Sequence, residues 1–493
     1  MRHPNGETCV ISATGPLYSP DSRKHQQKMT AKTLQIMKDY PTTNCKMTPI
    51  LPRRNFLGAM LAGAVSTALL TVTGEAGSHP SETGDNLLFN PPEGANSPVG
   101  SPKGIKPGRV VWVYDPRACT WDGETGFWWE DEYNNQEKIT SMVSGAIRSV
   151  SDKKSANDAW EAIFSWFNHS YGRGSRGYRP GEKIAIKVNM NNDRRSYDDT
   201  PWINSSPHLV NAMLDSLVHH AGVSEEDIIV FDSSRYFTPH FYDCIHKAFP
   251  KVAMIGGYGG LPGRLQAGWK EAQVTYAVPN RCGTSVASCA IEAGYLINMY
   301  IAKGHPFSGV TLSGKNHYGT INGREHAMIK GFNTGYGHYN PIVEVMGHRD
   351  MGGKTLLNIC DMLYGCYHSD SIPIKWNMPP FNRNWPSSIL VSLDPVANDS
   401  VATDFLTAEF GPRADIPQGV NTGFKVDMRN CDAVLHEAAQ ADNPPSGSVY
   451  APHGDGIRLA SLGVHEHWNN SVDKKYSGNL GKGPGIELVR VYP

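Results

Sequence analysis

The sequence predicts an α/β fold, a layered parallel or mixed sheet flanked by helices, in a single large domain with long loops. Short apolar runs rich in β-branched residues recur between residues 109 and 394, each followed by a polar residue. Uninterrupted runs of that length suit strands covered on both faces. Segments with apolar residues at three-to-four spacing lie between the runs, and strands alternating with helices argue for layers. Glycine (50) and proline (34) together make 84 of 493 residues. That is about 17%, against an average of roughly 12%, and it predicts many turns.

The strand candidates follow in order. RVVWVY (109–114) ends at Asp115, KIAIKV (183–188) at Asn189 and DIIVF (227–231) at Asp232. YLINMYIA (295–302) ends at Lys303, and GVTLS (309–313) leads to Lys315, Asn316 and His317. KTLLNIC (354–360) ends at Asp361 and SILVSL (388–393) at Asp394. Helical periodicity marks 137–150 and 156–167. It is stronger over 206–222, where Ser206 is placed to cap, Pro207 to start and Gly222 to stop a helix. Asp394, Pro395 and Gly411 repeat that grammar over 394–411. In such sheets the site lies at the carboxyl ends of the strands, so the polar residues that follow the runs are candidates as a group. Singly, each is as well explained as a helix cap.

Lys and Arg number 46 against 47 Asp and Glu, a difference of −1. That balance excludes a polybasic nucleic-acid binder and a strongly acidic solvating chain. Nine cysteines are too few for a disulfide scaffold, and no pair has C-x-x-C spacing. A zinc ribbon or an iron–sulfur loop is not expected. The spacings Cys282/Cys289 and Cys360/Cys366 leave local bridges open.

The N-terminal region carries its own signal. Pro52-Arg53-Arg54-Asn55-Phe56-Leu57-Gly58 precedes an apolar run from Leu57 to Val72, followed by GEAG with small residues near Ala76. Basic, apolar and small segments in that order are the layout of a signal peptide. The paired arginines resemble a twin-arginine export signal, which implies the export machinery as a partner and a periplasmic or otherwise exported location. The run is shorter than the roughly 20 strongly apolar residues of a membrane helix. No stable membrane span is expected after processing; an uncleaved anchor is the alternative. The expected division is therefore 1–46 as an untranslated or disordered extension, with translation starting at Met47. Residues 47–77 are the signal peptide, 78–108 a Pro/Gly/Ser-rich linker, and 109–493 the α/β domain.

The densest chemical cluster is 301–323, read as a strand–loop–strand unit with Lys303, His305, Lys315, Asn316, His317 and Tyr318. Lysines supply fixed positive charge for an anion and histidines a proton carrier near neutral pH. His305 and His317 alternatively ligate a divalent metal. A second cluster, Asn189, Asn191, Asn192 and Asp193, offers oxygen ligands or hydrogen bonds to a polyhydroxylated substrate, or is a polar turn. In the tail, His465 and His467 alternate, so an extended chain turns both to one side, a short and nonspecific candidate for a metal pair. The aromatic run with Trp121, Phe127, Trp128 and Trp129 is either a platform for sugar rings or a lid packed on the domain. G-x-x-x-x-G-K-[ST], H-E-x-x-H and G-x-S-x-G are absent, and the glycines of 256–263 lack the dinucleotide-binding frame.

Four segments together resemble the bacterial and archaeal family called domain of unknown function 362. They are GEKIAIKVNMN (181–191), YLINMYIAKGHPFSGVTLSGKNHYG (295–319), KTLLNICDMLYG (354–365) and ILVSLDPVANDSVATDFL (389–406). The family pattern falls here on Lys187, Asn189, Asn298, Lys303, His305, Lys315, Asn316, Asp361, Asp394, Pro395 and Asp399. The resemblance covers about 180–410 and implies no established activity. Many relatives append ferredoxin-like cysteine motifs, which this chain lacks.

The functional expectation is an exported enzyme acting on a small anionic or polyhydroxylated substrate, a class that includes sugar derivatives. Lys303, His305, Lys315 and His317 are its catalytic candidates, and Lys187, Asn189, Asn191 and Asn316 bind substrate. A divalent metal would draw on His305, His317, Asp361, Asp394 and Asp399. The alternatives are a periplasmic binding or redox-partner protein without turnover, and a structural surface protein.

Overall fold

The β-branched runs become strands in the computed structural model, joined by others outside those runs. In chain order the strands are β1 (Val99–Gly100), β2 (Arg109–Tyr114), β3 (Ile184–Lys187), β4 (Ile228–Asp232), β5 (Ala253–Gly256), β6 (Arg264–Gln266) and β7 (Trp269–Val274). Then come β8 (Thr284–Ala287), β9 (Tyr295–His305), β10 (Gly309–Val310), β11 (Thr355–Cys366), β12 (Ser388–Ser392), β13 (Val464–His465) and β14 (Glu487–Val491). The structure describes residues 93–191, 199–258, 262–278, 284–305, 308–322, 335–411 and 430–493. The expected extension, the export signal and Asn192, Asp193, Cys282 and His326 lie outside them.

Ten strands share one sheet in the order β14-β2-β12-β11-β9-β3-β4-β5-β6, with β10 folded back on β9. Along this row only β12 runs antiparallel to its neighbours; β14, β2, β11, β9, β3, β4, β5 and β6 share one direction. The sheet is therefore mixed. From β3 the chain steps outward through β4, β5 and β6, then returns so that β9 and β11 lie on the other side of β3. Crossovers that diverge on either side of two neighbouring strands leave a crevice at their carboxyl ends. Here that place is between β3 and β9.

Alternation along the strands sorts side chains into two apolar layers. Val111, Val113, Ile186, Ile297 and Ile359 pack with Met142, Ile163 and Leu214 from the helices Gln136–Ser151, Ala156–Ser170 and Pro207–His219. On the opposite face Trp112, Tyr300 and Met362 pack with Ile342, Phe405 and Leu435 from the helices Pro341–Gly347, Pro395–Phe410 and Asn430–Ala439. The predicted caps are in place: the Ser206 hydroxyl accepts from Leu209 N–H, and Asp394 from Ala397 N–H at 2.9 Å. No helix among the described residues is long and apolar enough to cross a membrane.

Three boundaries differ from expectation. β9 runs to His305 and β11 to Cys366, so Lys303 and Asp361 lie inside strands rather than after them. The two strands keep each other extended by parallel pairing, with an irregularity between Asp361 and Cys366. The expected strand over 309–313 shrinks to two residues, paired back on Gly304 and His305, and a helical turn, Ser313–His317, follows. Residues 93–108 pack on the domain although their composition suggested a linker. β1 pairs with β13, and Lys103 N–H donates to Asp394 at 2.8 Å. Their backbone finds its partners in the distant tail, which local composition does not register. Cys360 and Cys366 are both free thiols.

Candidate functional site

Lys187 closes β3, and its register partner on β9 is Asn298. The lysine is buried, and its Nζ lies 3.3 Å from Oδ2 of Asp232, the last residue of β4. Burial lowers the Lys187 pKa, and the Asp232 charge counteracts that shift. Asp232 is fixed in turn by the Met190 N–H at 2.9 Å and the Ser234 hydroxyl at 3.2 Å.

A relay of amides runs from β3 across β9 to the turn Ser313–His317. Buried Lys303 donates from Nζ to Asn189 Oδ1 at 3.0 Å. Asn189 Nδ2 donates to Asn316 Oδ1 at 3.0 Å, Asn316 Nδ2 to Asn298 Oδ1 at 2.7 Å, and Asn298 Nδ2 to the Ser313 carbonyl at 3.1 Å. Each amide fixes the orientation of the next, so the polar wall is preorganised.

Beside this wall a cleft of about 360 Å³ opens at the sheet's crevice. Lys187, Asn189, Asn191 and Asn316 line it together with Asp232, Ser234, Arg235, His305, Thr311, Lys315, Tyr318 and Gly319. A side chain at 319 would collide with the paired charges, since a Cβ there would lie 2.8 Å from Lys187 Nζ and 3.2 Å from Asp232 Oδ1. Lys315 lies over the Tyr318 ring at 4.2 Å. Arg235 reaches across to the Asn191 carbonyl at 3.2 Å. With Lys187 charged, it and Lys315 and Arg235 against Asp232 bring the lining to +2 before His305 is counted.

Six of the eight residues expected to bind or react thus line one cleft: Lys187, Asn189, Asn191, His305, Lys315 and Asn316. Lys303 stands behind the wall and donates to Asn189. His317 is not among the lining residues. Its ring is buried, Nε2 pairs with the Thr355 hydroxyl at 3.3 Å, and burial followed by the Lys187 charge pushes its pKa down to about 3. It therefore stays neutral near pH 7 and does not suit a proton carrier.

The expected metal carboxylates are also set apart, each occupied by donors of its own. Asp361 accepts from the Ser206 and Leu363 N–H groups at 3.0 and 3.1 Å. Asp394 accepts from Lys103, Ala397 and Val464 N–H, and Asp399 from the Ser313 N–H and hydroxyl. Burial raises Asp361 and Asp394 to about 6 and Asp399 to about 7. Among the described residues, ligand-bearing side chains gather within 4.8 Å in two other groups, Asp131/His240/Cys244 and Asp432/His465/His467. Neither contains any of the five residues expected to hold a metal.

The sequence reading did not single out Arg235, and it noted Asp232 only as a strand-end residue. The signal was the Asp-Ser-Ser-Arg that follows an apolar run, informative once β4 is known to lie beside β3. The aromatic run behaves mainly as a lid. Trp121 stacks on Trp385 with centroids 5.3 Å apart, and Trp128 is buried with its Nε1 donating to the Pro201 carbonyl at 3.0 Å. Trp128 and Trp129 do wall a second cleft of about 260 Å³ with Met190 and His240.

Fold and cleft together define an α/β protein with a cationic cleft at the switch point of a mixed sheet. Residues 184–404 match the family model described as Domain of unknown function (DUF362), which supports the domain-of-unknown-function family for that segment. The match begins with β3 and ends in the helix Pro395–Phe410, so it takes in the residues that line the cleft. A comparison with curated proteins finds no match.

Proposed function

We propose that the cleft is the active site of an exported enzyme for a small anionic, polyhydroxylated substrate of sugar-derived type. The observation that carries this reading is the lining's charge, three cations and His305 against one carboxylate, on a wall of oriented amides. Lys315 and Arg235 hold the anionic group, since charge-assisted hydrogen bonds are the strong ones. Asn189 and Asn191 bind hydroxyls. His305 moves the proton, and Lys187, its basicity lowered by burial, is the second titratable group. Lys303 positions Asn189. Export rests on the Arg53-Arg54 segment with its apolar run.

Gluconate and glucose 6-phosphate serve as first probes, by calorimetry for binding and by NMR for turnover. Lys315→Ala and Arg235→Ala are each expected to weaken binding by about ten- to a hundredfold, the range for hydrogen bonds to charged groups. His305→Gln should keep binding and lose turnover. Binding without turnover in the wild type would make this a binding protein, and indifference to both cation substitutions would remove the cleft from consideration. For export, residues 47–77 fused to a reporter should lose translocation when Arg53 and Arg54 become lysines.

A further inference from the structure

The tail holds a second cluster, beyond the segment matched to the family. Strand β13 places His465 against β1, and the chain continues through Glu466 to His467. The two imidazoles lie with centroids 5.0 Å apart. Each has its Nδ1 engaged: His465 with the Ser400 hydroxyl at 2.8 Å, His467 with Asp404 Oδ1 at 2.6 Å. Both partners come from the helix Pro395–Phe410. The Nε2 atoms of both rings remain, and Asp432 approaches the pair from the neighbouring helix Asn430–Ala439. His467 Nε2 lies 3.5 Å from Asp432 Oδ2. His465 is 1% exposed, and its Nε2 is buried with no hydrogen-bond partner; the same holds for Asp432 Oδ1. Buried polar atoms left unpaired are rare and costly, and here a nitrogen lone pair and a carboxylate oxygen belong to one small cluster.

We propose that Asp432, His465 and His467 form a three-ligand site for a divalent first-row transition-metal ion. One ligand atom from each lies within 4.8 Å of the others. Ligands about 2.1 Å from a common ion stand roughly 3–4 Å apart, so closure takes only small side-chain movements. Two imidazoles and a carboxylate with a position left open is a set that zinc and iron(II) accept. The Asp404–His467 bond supplies the carboxylate that metal-bound histidines ordinarily have behind them, and the Ser400 hydroxyl, itself donating to the Val396 carbonyl, anchors the far side of His465. His436 stays outside the set, because its nitrogens pair with the Asp432 carbonyl at 2.7 Å and Glu93 at 3.1 Å. His467 is partly exposed and gives the ion a way in. A bound ion ties β13 and two helices together, which is a role separate from the cleft.

The test uses the untagged full chain, stripped with chelator and titrated with zinc chloride. Elemental analysis and calorimetry should show one equivalent bound, with a raised melting temperature. Asp432→Asn and His467→Gln should each weaken binding at least tenfold, while His305→Gln in the cleft binds as the wild type does. Cobalt(II) added to the wild-type chain should give the visible absorption of a low-coordinate nitrogen–oxygen site, a readout that needs no variant. No stoichiometric zinc together with no cobalt spectrum overturns the proposal. So does wild-type affinity in both tail variants, or loss of the ion in His305→Gln alone.

Discussion

The cleft wall and the tail cluster are both buried groups of polar side chains, and they differ in how their hydrogen bonds are arranged. In the cleft wall, Lys303, Asn189, Asn316 and Asn298 form one relay, and Lys187 and Asp232 neutralise each other. The relay faces about 360 Å³ of open space. In the tail, His465 Nε2 and Asp432 Oδ1 are buried without partners, although the far side of each imidazole is anchored. A wall satisfied within itself and carrying excess positive charge is suited to receive an anion. A buried cluster with an imidazole nitrogen and a carboxylate oxygen left unpartnered is suited to a cation. Burial alone separates neither case; the partners do.

The largest effect expected from this contrast is at Lys187. Lys187→Met leaves Asp232 buried beside an apolar group, and removing one partner of a buried pair costs about 3–5 kcal/mol. Urea unfolding measures it. Adding Asp232→Asn should return most of the loss. A single-variant cost below about 1 kcal/mol would mean that the Met190 and Ser234 donors hold Asp232 without the lysine. Next in size is Asp394→Ala, on a carboxylate that serves neither cluster. It removes the acceptor for Lys103, Ala397 and Val464 N–H together. A lost cap and two further unmet donors amount to about 2–3 kcal/mol. Amide exchange at Lys103 and Val464 should accelerate with it, which a cap-only role would not produce.

How far the sequence could see these differences follows from the range of each contact. The strands, the main helices and their caps were legible because burial on both faces, three-to-four spacing and cap residues are local patterns. Lys187, Asn189 and Asn316 were legible through strand ends and the family resemblance. His317 was grouped with Lys315 in a strand–loop–strand unit, and the segment is instead a helical turn. Two residues advance about 200° around a helix, so Lys315 and His317 point apart on the turn Ser313–His317, whereas in a strand they would share a face. His465 and His467 do lie in extended chain, and their rings come together as that spacing implies. Asp432 and Arg235 were out of reach, and Asp232 was legible only as a strand end. Each enters its cluster from another element, and nothing local says which helix or strand will lie alongside.

A third kind of carboxylate sharpens the contrast at the smallest scale. Asp361 is buried in β11 with two N–H donors, neither a paired cation as Asp232 has nor an open oxygen as Asp432 has. Burial raises its pKa to about 6, and the two donors offset only part of that. In the unfolded chain the group titrates near 3.9. Between those values the folded chain holds a proton that the unfolded chain has lost. The stability from this group is therefore complete below about pH 4 and declines as pH rises through about 6. Asp361→Asn cannot titrate there. The stability difference between wild type and Asp361→Asn should favour the wild type more at pH 5 than at pH 8, by about 1 kcal/mol. Urea unfolding of both proteins at the two pH values measures this, and the other titrating groups cancel in the difference. A flat difference would mean that the Ser206 and Leu363 donors fully offset the burial. A reversed slope would mean that they outweigh it, and that amide donors alone hold a buried carboxylate as well as the lysine does in the cleft.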